Sequence, residues 1–264
     1  MDYKYLKVER LQEIATVTMN RPEKGNMLSM EMMNELVQVA EEFQDDLKTR
    51  VVIFTGAGKS FCMGVDLNDS GHIETAAGPL LARQRKFSAG PRMIRALYSM
   101  SQITIAAING VAQGGGACIA SAMDFRIGAD NCKIAYPEVN IAIPLSWVGL
   151  PLCVHLVGPS RAKHFVILGR RENAETLLNW GFLDDVVSPD NLMEHANEMA
   201  EAYAAKAPIP TQMIKRSINA ITSSMDEAIM HMDTDQVLLA QSTRDFEEGV
   251  KAVFEKRKPE FKGE

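Results

Sequence analysis

The sequence predicts an α/β fold in which parallel strands wind as a shallow spiral and a helical region follows. Three observations carry that prediction. An apolar, β-branched run enters a glycine turn and then a helical pattern at "VVIFTGAGKSFCMGVDL" (51–67), and again at "ITIAAINGVAQGGGACIASAM" (103–123). The unit recurs with "FRIGAD" and "KIAYPEVNIAIP" (125–144). Repetition of strand, turn and helix returns the chain to the same end each time, so the strands run parallel and the turns gather at one end. Finally, residues 190–256 read as almost wholly helical, with no linker-like or low-complexity stretch before them. We therefore divide the chain into a core at 1–190 and a helical C-terminal region at 191–264.

Each element has a local reason. The alternating segments "YLKVERL" and "IATVTMN" read as a hairpin, and Pro22 and Gly25 break the chain in "RPEKGN". Ser29 suits an N-cap for a helix whose Met33, Leu36, Val37 and Ala40 share one face. The strand at 51–55 follows, then a polar, small-residue loop at 68–78 and a helix over about 79–100. "SRAKHFVILG" reads as a capped helix closed by Gly169, and "NAETLLNWG" as one capped by Asn173 and closed by Gly181. "LDDVVS" is a last short strand. In the tail, Met213, Ile214, Ile218 and Ile221 form an apolar face of the kind that packs on a neighbouring subunit.

Bulk properties exclude several classes. With 264 residues, 46% hydrophobic and 23% charged, the chain is an ordinary soluble type able to bury a large core. A net charge of −6 disfavours nucleic acid or an anionic membrane surface as the main partner. The opening "MDYKYLKVER" is charged from its second residue and carries no secretory pattern, and no run approaches the roughly 20 apolar residues of a membrane span. Cys62, Cys118, Cys132 and Cys153 lack paired metal-ligand spacing and fit reduced thiols of a cytoplasmic protein, so no metal is expected. Most of the sixteen methionines read as helix core filler.

Gly58-Lys59-Ser60 invites comparison with a nucleotide phosphate loop. Such a loop needs a glycine five residues before its Gly-Lys-Ser, and that position is Ile53, inside the strand. Three other features carry candidate chemistry. The turns "CMGVD" (62–66) and "QGGGAC" (113–118) allow a ligand or another backbone to approach the main chain closely, and the triplet begins a helix whose free N–H groups favour developing negative charge. Tight packing of helix on strand is the competing explanation. Glu138 stands among Tyr136, Pro137, Val139 and Ile141, where burial would raise its pKa and suit it to acid–base work; a solvated loop glutamate is the alternative. Lys256, Arg257 and Lys258 form a basic knot that is either a solvated helix end or a phosphate contact. Ser146 and Trp147 either line a pocket or pack and cap a helix. The histidines form no persuasive triad.

Taken together, these stretches resemble the crotonase superfamily, the enoyl-CoA hydratase/isomerase family. The resemblance covers nearly the whole chain: "NRPEKGNMLS", "GAGKSFCMGVDL", "ITIAAINGVAQGGGA", "DFRIGADNCKIAYPEVNIAIP", "NAETLLNWGFLDDVVS" and "TRDFEEGVKAVFEKRKPEFKG" stand in the family order. It implies a ββα spiral core carrying an acyl-CoA site and a helical oligomerisation region, assembled as a homotrimer or a hexamer made of two trimers. It further implies an oxyanion hole from the backbone N–H groups of Val65 and Gly115, and an acid/base at Glu138, on the strand that carries the family's acid. Lys24, Met63, Gly64, Asp66, Gly114 and Lys256 correspond to acyl-CoA-binding positions, with the tail lysine reaching CoA on a neighbouring subunit. Cys118 and Trp147 are possible pocket residues. No cofactor is implied beyond the coenzyme A of the substrate.

One departure steers the choice of reaction. Hydratases of this family carry a first glutamate where this sequence has Cys118. Adding water needs one group to hold and deprotonate it and another to deliver a proton, whereas a lone acid can carry one proton between two carbons on the same face. The resemblance is thus to the single-glutamate Δ3,Δ2-enoyl-CoA isomerases, and "LSWVGL" after Pro144 stands where hydratases place several glycines. Hydration, thioester hydrolysis and C–C bond formation on an enolate are the alternatives within the family. A non-catalytic acyl-CoA-binding protein is the alternative outside it, and catalysis by a Cys118 thiolate is a minor one.

Overall fold

The computed structural model describes residues 3–69 and 78–264; the expected 68–78 loop, with His72, falls mostly outside them. Strands β1 (Leu6–Leu11) and β2 (Ile14–Met19) form the antiparallel hairpin that the alternation predicts. Ser29 caps helix α1 (Met30–Asp45), its Oγ accepting the Met32 N–H at 3.1 Å. Met33, Leu36 and Ala40 are buried as expected.

The spiral then makes three turns. Each turn gives one strand to a large sheet and the next strand to a small one. β3 (Val51–Gly56), β5 (Ile103–Ile108), β7 (Phe125–Ala129) and β10 (Asp185–Val187) join the large sheet, whose order is β1-β2-β3-β5-β7-β10, and every pairing after the hairpin is parallel. β4 (Ser60–Cys62), β6 (Val111–Gln113) and β8 (Lys133–Ala135) lie side by side and parallel in the small sheet, closed antiparallel by β9 (Glu172–Asn173). Both β3 and β5 are buried along their whole length, as expected for strands covered on both faces. Consequently the residues just past Cys62, Gln113 and Ala135 emerge from the same ends of three adjacent strands.

The helices depart from expectation in two places. The single helix expected over 79–100 is two, α2 (Leu80–Phe87) and α3 (Ala89–Tyr98), meeting at Ser88. Helix α5 (Gly149–Leu168) begins well before Ser160 and breaks at Gly158, whose φ of 76° lies outside the helical region just before Pro159. Helix α4 (Gly115–Ala122) starts within the glycine triplet and is buried throughout. Helix α6 (Ala174–Trp180) keeps its expected limits, with Asn173 Oδ1 accepting the Thr176 N–H at 2.8 Å and Gly181 at φ 81°. Strand β10 (Asp185–Val187) completes the large sheet.

The C-terminal region is helical: α7 (Leu192–Ala204), α8 (Pro208–Thr222), α9 (Glu227–Met230), α10 (Asp233–Ala240) and α11 (Arg244–Glu255). Part of it packs on its own core. Lys215 is buried, donates to the Gln102 carbonyl at 2.6 Å and pairs with Asp124. Gly249 of α11 sits against Ile141, where an added Cβ would lie 2.8 Å from the Ile141 Cα. The apolar row Ile209, Met213, Ile214, Ile218 and Ile221 of α8 is exposed.

Candidate active site

Three backbone turns meet at the ends of β4, β6 and β8, and each is fixed by its own sequence. The first, Met63–Asp66, is strapped to the opening turn. Met63 donates to Gly25 O at 3.0 Å, Leu28 donates to Gly64 O at 2.8 Å, and Asp66 donates to Leu28 O at 3.0 Å. This is a one-residue parallel bridge between Leu28 and Val65, so the N–H of Val65 itself points away from Leu28. Side chains lock the strap. Arg21 and Asp66 form a buried ion pair at 3.0 Å, and Arg21 also donates to Met27 O at 2.7 Å. Asn26, at φ 56°, donates to Ala57 O and Ser60 O. Asp66, expected to bind acyl-CoA, is therefore turned inward with its carboxylate engaged: a brace for the loop.

The second turn is the glycine triplet, and each glycine answers a different close approach. At Gly114 a Cβ would stand 2.9 Å from Glu138 Oε1. At Gly115 it would stand 2.5 Å from Cζ3 of Trp147 and 2.9 Å from Leu28 Cδ1. At Gly116 it would meet the Cys62 backbone carbonyl. Tight packing accounts for Gly116, then, while Gly114 is kept bare beside a carboxylate. Gly114 also has φ 54°, ψ −120°, a backbone conformation that favours glycine. Gly115 opens α4, so its N–H has no partner within the helix. The two turns touch, since a Cβ on Gly64 would lie 2.8 Å from the Gln113 carbonyl oxygen.

The third turn carries Glu138. The residue stands in a single 3-10 turn, Glu138–Ile141, beyond β8, and not on the strand itself as expected. Its Oε2 is shielded from solvent and has no hydrogen-bond partner. Desolvation pushes the carboxyl up to about 7, against a small opposing contribution from its own backbone N–H. The residue as a whole is half-buried, with this oxygen turned away from water, which favours the buried alternative over the solvated one. Just before it, the buried Tyr136 hydroxyl shares a hydrogen bond with Ser121 of α4, tying this turn to the helix that starts at Gly115.

Cys118 is buried one turn into α4, and burial drives its thiol well above the usual range, with Glu138 adding in the same direction. It is an apolar wall, not a thiolate nucleophile. Trp147 and Val148 follow Pro144 and Leu145, and both are left-handed, at φ 59° and 62°. Non-glycine residues hold that conformation at a cost of roughly 1–2 kcal/mol each. The restraint comes from 85 positions away: Asp233 Oδ2 accepts the Val148 N–H at 3.0 Å, and the Trp147 N–H is directed to the same carboxylate.

The remaining expected positions lie at the rim. Lys24 is exposed on the 3-10 turn Pro22–Lys24, and the half-buried Met63 covers Gly25, a Cβ there meeting its Cγ at 2.7 Å. Lys256 is the exposed, left-handed C-cap of α11. Of the basic knot, Arg257 is spent on Glu248, at 2.8 Å from its Nη2, and on Glu255. Sequence reasoning missed Arg21, Asn26, Leu28 and Asp233. The Gly25-Asn26 pair was a readable signal for a left-handed turn; nothing local marks Asp233. Among the described residues no cluster of His, Cys, Asp and Glu is arranged to hold a metal, and the four cysteines are free and buried.

A carboxyl raised to about 7 by burial, beside the bare Gly114 and the helix start that frees the Gly115 N–H, is a site for moving a proton beside a developing oxyanion. The chain belongs to the enoyl-CoA hydratase/isomerase family, whose family model matches residues 9–264, and it is an acyl-CoA enzyme of the crotonase superfamily. It is 32% identical over 255 residues to the short-chain-enoyl-CoA hydratase of Clostridium acetobutylicum, covering 96% of this chain and 95% of that one. It is 31% identical over 250 residues to the 1,2-epoxyphenylacetyl-CoA isomerase of Escherichia coli, covering 95% of each. Its fold superposes on the crystal structure of an enoyl-CoA hydratase from Mycobacterium avium subsp. paratuberculosis with a TM-score of 0.87, at 23% identity, over 99% of this chain and 100% of that one.

Proposed function

We propose that the enzyme shifts a double bond in an enoyl-CoA, in the manner of a Δ3,Δ2-enoyl-CoA isomerase, with Glu138 as its single acid/base. The thioester oxygen accepts hydrogen bonds from the N–H groups of Val65 and Gly115, and one such donor is worth roughly 3–4 kcal/mol as the enolate forms. Glu138 takes a proton from one carbon and returns it to another on the same face. The observation that carries this reading is the pairing of Glu138, whose Oε2 is shielded and without a partner, with a buried Cys118 thiol where a second acid would be needed. No cofactor beyond the coenzyme A of the substrate takes part.

Lys24 and Lys256 are exposed cations suited to the phosphates of CoA, with Gly64, Met63 and Gly114 forming the surface along which the thioester lies. The exposed α8 row supports assembly with further copies of the chain, as a trimer or a pair of trimers. Free, buried thiols support a reducing, cytoplasmic setting. No described helix is long and apolar enough to cross a membrane.

Hydration is the second reading, favoured by the hydratase names of relatives such as those of Clostridium acetobutylicum and Syntrophomonas wolfei. Proton NMR in D2O with a 3-enoyl-CoA and, separately, a 2-enoyl-CoA separates the two. A moved double bond that is lost in Glu138→Gln supports isomerisation. A 3-hydroxyacyl product refutes it in favour of hydration. If neither thioester changes and no deuterium enters Cα, both readings fail for these enoyl-CoAs and the site is that of a binder.

A further inference from the structure

The indole of Trp147 fills the gap between α3 and the start of α4. On one side it lies against Gly115, where an added Cβ would be 2.5 Å from Cζ3 and 3.2 Å from Cε3. On the other it lies against Gly90 of α3, which could carry no side chain without meeting the ring. Two glycines in different helices are thus kept bare for one ring. Glu138 flanks the same Gly114–Gly115 turn, its Oε1 on the Gly114 side. A thioester held by the Gly115 N–H and reached by Glu138 therefore has the indole as its next wall beyond the reacting carbons.

That wall is held by more than packing. Trp147 and Val148 are both left-handed, and the acceptor for their N–H groups is Asp233, at the first position of α10 in the C-terminal region. Cys118 closes the neighbouring space: a Cβ on Gly149 would lie 2.7 Å from its Sγ, and the thiol is 4.0 Å from the Ser146 carbonyl oxygen.

We propose that Trp147 is the specificity-determining residue that stops the acyl chain a few carbons past the carbonyl, restricting the enzyme to short acyl groups, and that Asp233 is the positioning residue that holds it there. This rests on the thioester reading above, so the test separates the two. Binding is measured by tryptophan fluorescence in a Trp180→Phe background, which leaves Trp147 as the only indole, with the saturated probes butyryl-, octanoyl- and dodecanoyl-CoA, which have no double bond to move. Butyryl-CoA is expected to bind at least about tenfold more tightly than dodecanoyl-CoA. For Trp147→Gly, which also suits the left-handed backbone, displacement of a fluorescent CoA conjugate replaces the intrinsic signal, and the preference is expected to reverse.

Trp147→Phe, a milder change, should shift it partway. Asp233→Ala should loosen the preference in the same direction, whereas a merely structural role would lower the melting temperature and leave the ratio of dissociation constants unchanged. An unchanged ratio in the folded Trp147 variants overturns the proposal, as does tight binding of dodecanoyl-CoA by the parent protein. Deuterium exchange at Cα of butyryl-CoA reports on the thioester reading alone: its absence, with the length preference intact, removes the chemistry and keeps the wall.

Discussion

Glu138 and Gly114 are in contact, the carboxylate oxygen Oε1 lying 2.9 Å from the position a Cβ on residue 114 would take. Neither residue is near the other by chain, and the contact exists because β6 and β8 are neighbours and both end at this point. Gly114→Ala meets the carboxylate and also a backbone at φ 54°, ψ −120°, which costs of order 1–3 kcal/mol for a residue with a side chain. Turnover should fall by at least about tenfold with a modest loss of stability. Gly116→Ala meets the Cys62 backbone carbonyl instead and should fail mainly by unfolding. Steady-state kinetics and melting curves for the two variants give this contrast; identical profiles would remove the distinction between a bare catalytic surface and a packing contact.

Arg21 and Asp66 are the brace behind the Val65 N–H. Replacing Asp66 by Ala leaves a buried guanidinium with the Met27 carbonyl and the face of the Tyr5 ring beside it and no countercharge at Asp66, a defect worth on the order of 3–5 kcal/mol. The double variant Arg21→Met, Asp66→Leu should recover most of that stability, since two apolar groups leave no orphan charge. It should not recover activity, because the loop loses its register on Leu28. Urea titrations of the three proteins, read beside turnover, test both halves; recovery of activity in the double variant would show that the ion pair does not set the loop.

How much of this was legible in the sequence depends on the range of each interaction. The recurring strand and glycine turn gave the spiral, because periodicity and glycine cost are local properties, and Glu138 stood out for its apolar neighbours. The break at Gly158-Pro159 was equally local and was passed over in favour of a cap at Ser160. Trp147 and Val148 were illegible as left-handed residues: a bulky aromatic and a β-branched side chain are the types least expected there. Their conformation is set by a carboxylate 85 positions later, and a contact of that range leaves no pattern in either segment. Asp66 was assigned by position alone, and only its buried partner Arg21, 45 residues earlier, shows which way it faces.

The cysteines give a prediction that needs no substrate. All four are buried, and burial alone pushes Cys153 up to about 12, with Cys62 and Cys132 at about 12 as well, while Cys118 is driven well above the usual thiol range, mainly by desolvation. Native protein should leave a thiol reagent unreacted on the minute timescale at pH 8, and unfolded protein should release all four equivalents. Cys118→Ala should keep most of the activity. Rapid native labelling of Cys118 with parallel loss of turnover would contradict its role as a wall.

Glu138 links activity and stability to pH in opposite senses. As a base it must be ionised, so the Cα proton-exchange rate should climb as pH rises through about 7 and then level. Glu138→Gln should flatten that profile and lower the rate by roughly 10²–10⁴. For stability the folded-state pKa lies above the reference value of 4.5, so the unfolded chain gives up this proton first. Below pH 4.5 the carboxyl is protonated in both states and contributes nothing. Between 4.5 and about 7 the fold loses stability, and above about 7 the loss is complete, on the order of 3 kcal/mol. Glu138→Gln is uncharged throughout, so it should match the parent near pH 4 and exceed it at pH 8. Urea midpoints at the two pH values decide the matter. A variant no more stable than its parent at pH 8 would mean that the carboxylate is solvated, and the proton shuttle would lose its physical basis.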